Sequence, residues 1–149
     1  MKILIVEDDP FKMTAIAGII GPLVNGESIV RATSLRSAMA TIEAQSFDFV
    51  ILDMAIPSHT SEVGATDTYS QPVGGLDVLL YLAFGQRAER VAILTQYPTV
   101  EYDRRHVPLD DFKGILERDG VTNVMDVIRF DDDRDDWKDR LILVMGNLN

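Results

Sequence analysis

The run Phe47-Asp48-Phe49-Val50-Ile51-Leu52-Asp53-Met54-Ala55-Ile56-Pro57 constrains this chain more than any other stretch. A short apolar segment rich in β-branched and aromatic residues reads as a buried strand of a parallel sheet covered by helices. Asp53 falls where that strand meets solvent at its C-terminal end, the edge at which open parallel sheets place their ligands. Lys2-Ile3-Leu4-Ile5-Val6 is a second such strand, and it ends in Glu7-Asp8-Asp9. Side by side and parallel, the two strands bring Asp53 and the acidic triplet into one small volume. Carboxylates about 4 Å apart repel by roughly 4 kcal/mol at an effective dielectric of about 20, so the cluster calls for a cation or a proton. Oxygen ligands on a shallow sheet edge suit Mg²⁺, which keeps several waters and takes few protein ligands. The plainer alternative, that the triplet only caps the next helix, is weakened by the second strand that also ends in an acid.

The rest of the chain alternates in the same way. Pro10 suits a first helical turn, and Phe11, Ala15, Ile16, Ile19 and Ile20 recur at helical spacing until Gly21-Pro22. Ser28-Ile29-Val30-Arg31-Ala32 reads as a strand, and Ser34 caps a helix carrying Leu35, Ala38, Met39 and Ile42. Gly74-Gly75 opens another helix, Arg90-Val91-Ala92-Ile93-Leu94 is a strand ended by Thr95, and Leu109, Phe112, Ile115 and Leu116 mark a fourth helix. A last strand spans Val124-Met125-Asp126-Val127-Ile128-Arg129-Phe130; Asp131-Asp132-Asp133 would cap a final helix bearing Trp137, Leu141, Val144, Met145 and Leu148. This order predicts an α/β fold: a doubly wound, five-stranded parallel sheet between two layers of helices, flavodoxin-like.

Val6-Glu7-Asp8-Asp9-Pro10 after the first strand, Ile51-Leu52-Asp53 with Pro57 after the third, and Leu94-Thr95 after the fourth together resemble the receiver domain of two-component response regulators, over most of the chain. The resemblance implies that Asp53 accepts a phosphoryl group and that Thr95 binds it. It implies that Glu7 and Asp8, with Asp53 and the backbone carbonyl of Ala55, hold Mg²⁺. It also implies a sensor histidine kinase or phosphotransfer protein as donor and an output protein as target.

The chain departs from that family at several places. Receivers place a Lys followed by Pro at the end of the last strand, where Arg129-Phe130 stands, and Asp126 stands near the position of a common aromatic residue. Arg129 keeps the positive charge, yet its planar fork is not equivalent to an ammonium. Gln96 replaces the small residue usual after Thr95. Two extended loops are expected, at about 58–73 and 97–107. The first is rich in Ser, Thr and Gly, includes His59, and reads equally as a lid over Asp53 or as a surface excursion without a role. The second carries Arg104-Arg105-His106, more simply a solvated turn than a contact for an acidic partner.

At 149 residues the chain has room for one domain and no separate output domain beside it. A net charge of −10 opposes direct DNA binding, which relies on Lys and Arg displacing counterions. No cysteine, leader or apolar span is seen, which predicts a cytoplasmic protein with no membrane contact. The expectation is therefore a stand-alone receiver and not an enzyme in the ordinary sense. The competing readings are a pseudo-receiver that binds partners without being phosphorylated, favoured by Arg129 and Gln96, and a Mg²⁺-dependent phosphohydrolase. The last lacks an acid two residues after Asp53, where Ala55 stands.

Overall fold

The computed structural model describes residues 1–24, 28–58 and 74–148. The first of the two expected loops, with His59, lies outside the described residues apart from Ser58. The elements are β1 (Ile3–Val6), α1 (Pro10–Ile20), β2 (Ile29–Ala32), α2 (Leu35–Ala44), β3 (Phe49–Leu52), α3 (Gly74–Phe84), β4 (Arg90–Thr95), β5 (Thr99–Tyr102), β6 (Arg105–Pro108), α4 (Leu109–Arg118), β7 (Val124–Arg129) and α5 (Asp136–Gly146). Five strands form one sheet in the order β2-β1-β3-β4-β7, and every pair is parallel. The expected doubly wound fold is therefore observed.

Alternation along the strands sends side chains to two cores. Leu4, Val6, Val50, Leu52, Val91 and Ile93 pack with α2, α3 and α4 on one face; Ile3, Ile5, Phe49, Ile51, Ala92 and Leu94 pack with α1 and α5 on the other. Each fully buried aliphatic side chain contributes about 1.5–3 kcal/mol, which fixes the register, since a one-residue slip would exchange the faces. Because β2 and β3 flank β1 on opposite sides, the chain reverses its direction of travel across the sheet at β1 and β3. The crevice at a switch of this kind is where doubly wound sheets bind ligands.

The excursion expected between Tyr97 and Val107 is a β-hairpin. β5 and β6 pair antiparallel with Val100 opposite Val107, both buried against α4. Asp103 and Arg104 make the turn at φ 52° and 64°, left-handed values suited to a two-residue hairpin loop. Tyr102 meets Phe112 edge-on at 5.6 Å and donates its hydroxyl to Asp119 Oδ2 at 2.7 Å. α5 also starts later than expected: its N-cap is Asp135, while Asp131 accepts from the backbone of Asp133 and Arg134 in a turn of its own.

Candidate functional site

The site is assembled where β1, β3 and β4 end. Asp53 follows β3 directly and donates its N–H to Val6 O at 3.0 Å, while Glu7 follows β1 and donates to Ala32 O at 3.0 Å. Ladder bonds thus carry both acids one step past their strands and hold them side by side. Asp53 Oδ1 accepts from Ala55 N at 3.1 Å, which fixes the carboxylate against its own turn. That turn is pressed by the start of α3: a Cβ on Gly75 would sit 2.3 Å from Asp53 O. Glycine is required there by close backbone approach.

One carboxylate oxygen from each of Glu7, Asp8 and Asp53 lies within 4.8 Å of the others. Glu7 and Asp53 are buried, and Asp8 is exposed at the mouth. The capping role and the cluster role fall to neighbouring residues: Asp9 caps α1 by accepting from Phe11 N at 2.9 Å, leaving Glu7 and Asp8 to the cluster. Burial, reinforced by the charge of Asp53, pushes the Glu7 carboxyl up to about 8 against the pull of a nearby cation. Desolvation is also the largest cause raising Asp8.

The cation is Lys12, a residue that no sequence motif singles out. It lies in the first turn of α1 and is 1% exposed. Its Nζ stands 2.7 Å from Glu7 Oε2 and 3.1 Å from Asp53 Oδ2, and it donates to Leu94 O at 2.8 Å and Gln96 Oε1 at 3.2 Å. Three N–H groups face four oxygens, so the two carboxylates are served by charge more than by aligned bonds. Glu7 Oε2 and Asp53 Oδ2 meet that ammonium as ion-pair partners and accept no aligned hydrogen bond. Two buried carboxylate oxygens that share a single ammonium, beside a third carboxylate at the mouth, fit a hard divalent cation.

The departures noted in the sequence come together around this ammonium. Gln96 accepts from it, and the Phe130 ring centroid lies 5.5 Å from Nζ. Phe130 is buried and packs on Trp137 with ring centroids 4.8 Å apart. Arg129, the expected substitute for the strand-end Lys, is exposed, and among the described residues no ion pair is found for it. It pairs in register with Thr95 and lines a cavity of about 340 Å³ with Asp9, Lys12, Gln96, Phe130 and residues 131–133. Thr95 is fully buried at the end of β4, its hydroxyl accepting from Tyr97 N at 3.4 Å. The signal for Lys12 was its spacing: residues 12, 16 and 20 form one stripe, and Ile16 and Ile20 are buried whereas Phe11 is 66% exposed.

No family model matches the chain. In sequence it is similar to the Detocs response regulatory protein DtcB of Vibrio alginolyticus, 28% identical over 141 residues that cover 93% of this chain and 95% of that one. It is also 34% identical over 80 residues to the uncharacterized protein y4jS of Sinorhizobium fredii, covering 53% of this chain and 18% of that protein. Among solved structures, the N-terminal domain of a response regulator/sensory box/GGDEF protein from Carboxydothermus hydrogenoformans superposes with a TM-score of 0.66 at 16% identity, covering 99% of this chain and 93% of that one. The signal receiver domain of a LuxO repressor protein from Vibrio parahaemolyticus gives 0.65 at 19% identity, covering 99% and 91%. Among the described residues no helix is long and apolar enough to cross a membrane. The sheet order, the acids at its C-terminal edge and the match along nearly the whole length of a response regulatory protein make the chain similar to the receiver domains of response regulators in fold and in the placement of its acidic cluster.

Proposed function

We propose that this domain accepts a phosphoryl group on Asp53 from the phosphohistidine of a sensor kinase or phosphotransfer protein, in a Mg²⁺-dependent step. The observation that supports it best is the Asp53 carboxylate itself: buried, fixed through Oδ1, and presenting beside two further acids an Oδ2 that meets Lys12 as an ion-pair partner at 3.1 Å without an aligned hydrogen bond. Asp53 Oδ2 attacks phosphorus; the O–P bond forms as the P–N bond breaks, and the electron pair leaves on the imidazole nitrogen. Glu7, Asp8, Asp53 and the Ala55 carbonyl are the residues that would hold Mg²⁺, whose charge lets an anionic nucleophile approach an anionic phosphoryl group. The Thr95 hydroxyl, at the end of the neighbouring strand, accepts from Tyr97 N and keeps its own proton to donate to a phosphoryl oxygen. Arg129, on the wall of the neighbouring cavity, would supply a cation for the outward oxygens. The added charge of about −1.5 to −2 then acts on the elements that meet at the site, and a downstream protein reads the change.

A second reading has one specific observation in its favour. Lys12 already neutralises Asp53 Oδ2 at 3.1 Å, which is the arrangement of a pseudo-receiver whose pocket is closed by an internal cation. Incubation with acetyl phosphate and Mg²⁺ followed by intact-mass measurement separates the two. One added phosphate that is lost in Asp53→Asn supports the acceptor, and no addition from any donor supports the pseudo-receiver.

A further inference from the structure

Lys12 is held by its backbone-side partners and its charge partners at the same time. Leu94 O and Gln96 Oε1 take two of its three protons, and both are oxygens of the β4 end. Glu7 Oε2 and Asp53 Oδ2 are left to share what remains, at 2.7 and 3.1 Å. These two oxygens belong to two of the three acids whose ligand atoms cluster within 4.8 Å. An ammonium therefore occupies a position from which a divalent ion would otherwise bond Glu7 and Asp53. The Phe130 ring, 5.5 Å from Nζ, bounds the space on the cavity side and offers its face to the cation after a short displacement.

We infer that Lys12 is a tethered counter-cation that competes with the divalent ion for Glu7 and Asp53, so that metal entry requires its ammonium to leave those oxygens and stay on Leu94 O and Gln96 Oε1. The inference rests on the metal site of the proposed function. It has two consequences. The buried acids of the pocket have a counter-cation and fold without metal, and the affinity for metal is set by the cost of moving Lys12. Gln96 is part of the device, because a small residue at that position would leave the displaced ammonium one acceptor short.

The test is a Mg²⁺ titration of the full chain and of Lys12→Met, followed by the fluorescence of Trp137, the sole tryptophan, which reaches Lys12 through Phe130. Removing a positive charge a few ångströms from a dication strengthens its binding, and at an effective dielectric near 20 the gain is on the order of ten-fold or more. The expected result is a Kd at least about ten-fold lower in Lys12→Met, with a larger rise of Tm on adding Mg²⁺ than in wild type. An unchanged or weaker Kd in folded Lys12→Met overturns the inference while leaving the metal site standing. If Lys12→Met does not fold in metal-free buffer, the inference requires Mg²⁺ to restore folding, and failure to do so overturns it. Absence of Mg²⁺ binding from both proteins overturns the metal site itself and the competition with it. In a separate arm, Gln96→Ala should weaken Mg²⁺ binding, since the ammonium is then held more firmly by the carboxylates; tighter binding in that variant contradicts the inference.

Discussion

Lys12 Nζ lies 3.1 Å from Asp53 Oδ2, and both side chains are almost wholly shielded from water. Lys12 comes from α1 and Asp53 from the turn after β3, so the contact ties the first turn of α1 to the end of β3. Breaking a buried pair by deleting one member leaves the other charge without compensation, which costs about 3–5 kcal/mol. Lys12→Ala should therefore lower metal-free stability by about that amount, read from urea unfolding in EDTA, whereas the exposed Arg129→Ala should shift it by less than about 0.5 kcal/mol. Equal effects of the two substitutions would mean that Lys12 is not the buried cation of this pocket.

The cluster also predicts an order of effects on metal binding. Asp8→Asn and Asp53→Asn each delete a charged oxygen from a small ligand set and should abolish most Mg²⁺ binding. Glu7→Gln should weaken it less, because the raised pKa of Glu7 leaves it less charged at neutral pH. Isothermal titration of the three variants checks the order, and binding that survives Asp53→Asn intact would place the ion elsewhere.

Glu7 gives the site a pH dependence whose sign is fixed. Its folded pKa is raised from 4.5 to about 8 by burial first and by Asp53 second. The folded state thus prefers the protonated carboxyl. This contribution to stability is fully present below about 4.5 and is lost as pH rises through about 8. Metal-free protein should melt lower at pH 8 than at pH 6, and Glu7→Gln should flatten that slope. The same slope in wild type and variant would show that Glu7 ionises normally.

Much of the architecture was legible because its strands are short, wholly apolar runs that only a parallel sheet with two covered faces can bury. Asp53, Glu7 and Asp8 were legible for a related reason, since an acid directly after such a run has one place to go. Lys12 was not, because a lysine in a first helical turn ordinarily faces water, and only the three-residue stripe with Ile16 and Ile20 marks it as inward. The β5–β6 hairpin was hidden as well. Its strands have four residues each, and its turn uses Asp103-Arg104 in place of a glycine pair, so local chemistry gave little sign of the left-handed backbone that the packing of Val100, Val107 and Tyr102 holds in place.

The turn that carries Asp53 offers a further check on the geometry. A methyl group on Gly75 would approach Asp53 O and Met54 Cα at 2.3 and 2.4 Å, and neither backbone atom can yield as a side chain would. Gly75→Ala should cost about 3 kcal/mol or more, through a shift of α3 or of the Asp53 turn. Gly114→Ala, where a Cβ meets nothing within 4 Å, should be neutral or stabilising and serves as the control. Equal stability of the two variants would contradict the close packing of α3 on the site.

The central claim is that Asp53 is the phosphoacceptor, and intact-mass spectrometry after incubation with a phosphodonor and Mg²⁺ tests it most directly. The account predicts one added phosphate on wild type, its absence when EDTA replaces Mg²⁺, and its absence from Asp53→Asn under identical conditions. Equal phosphate incorporation in Asp53→Asn would contradict it.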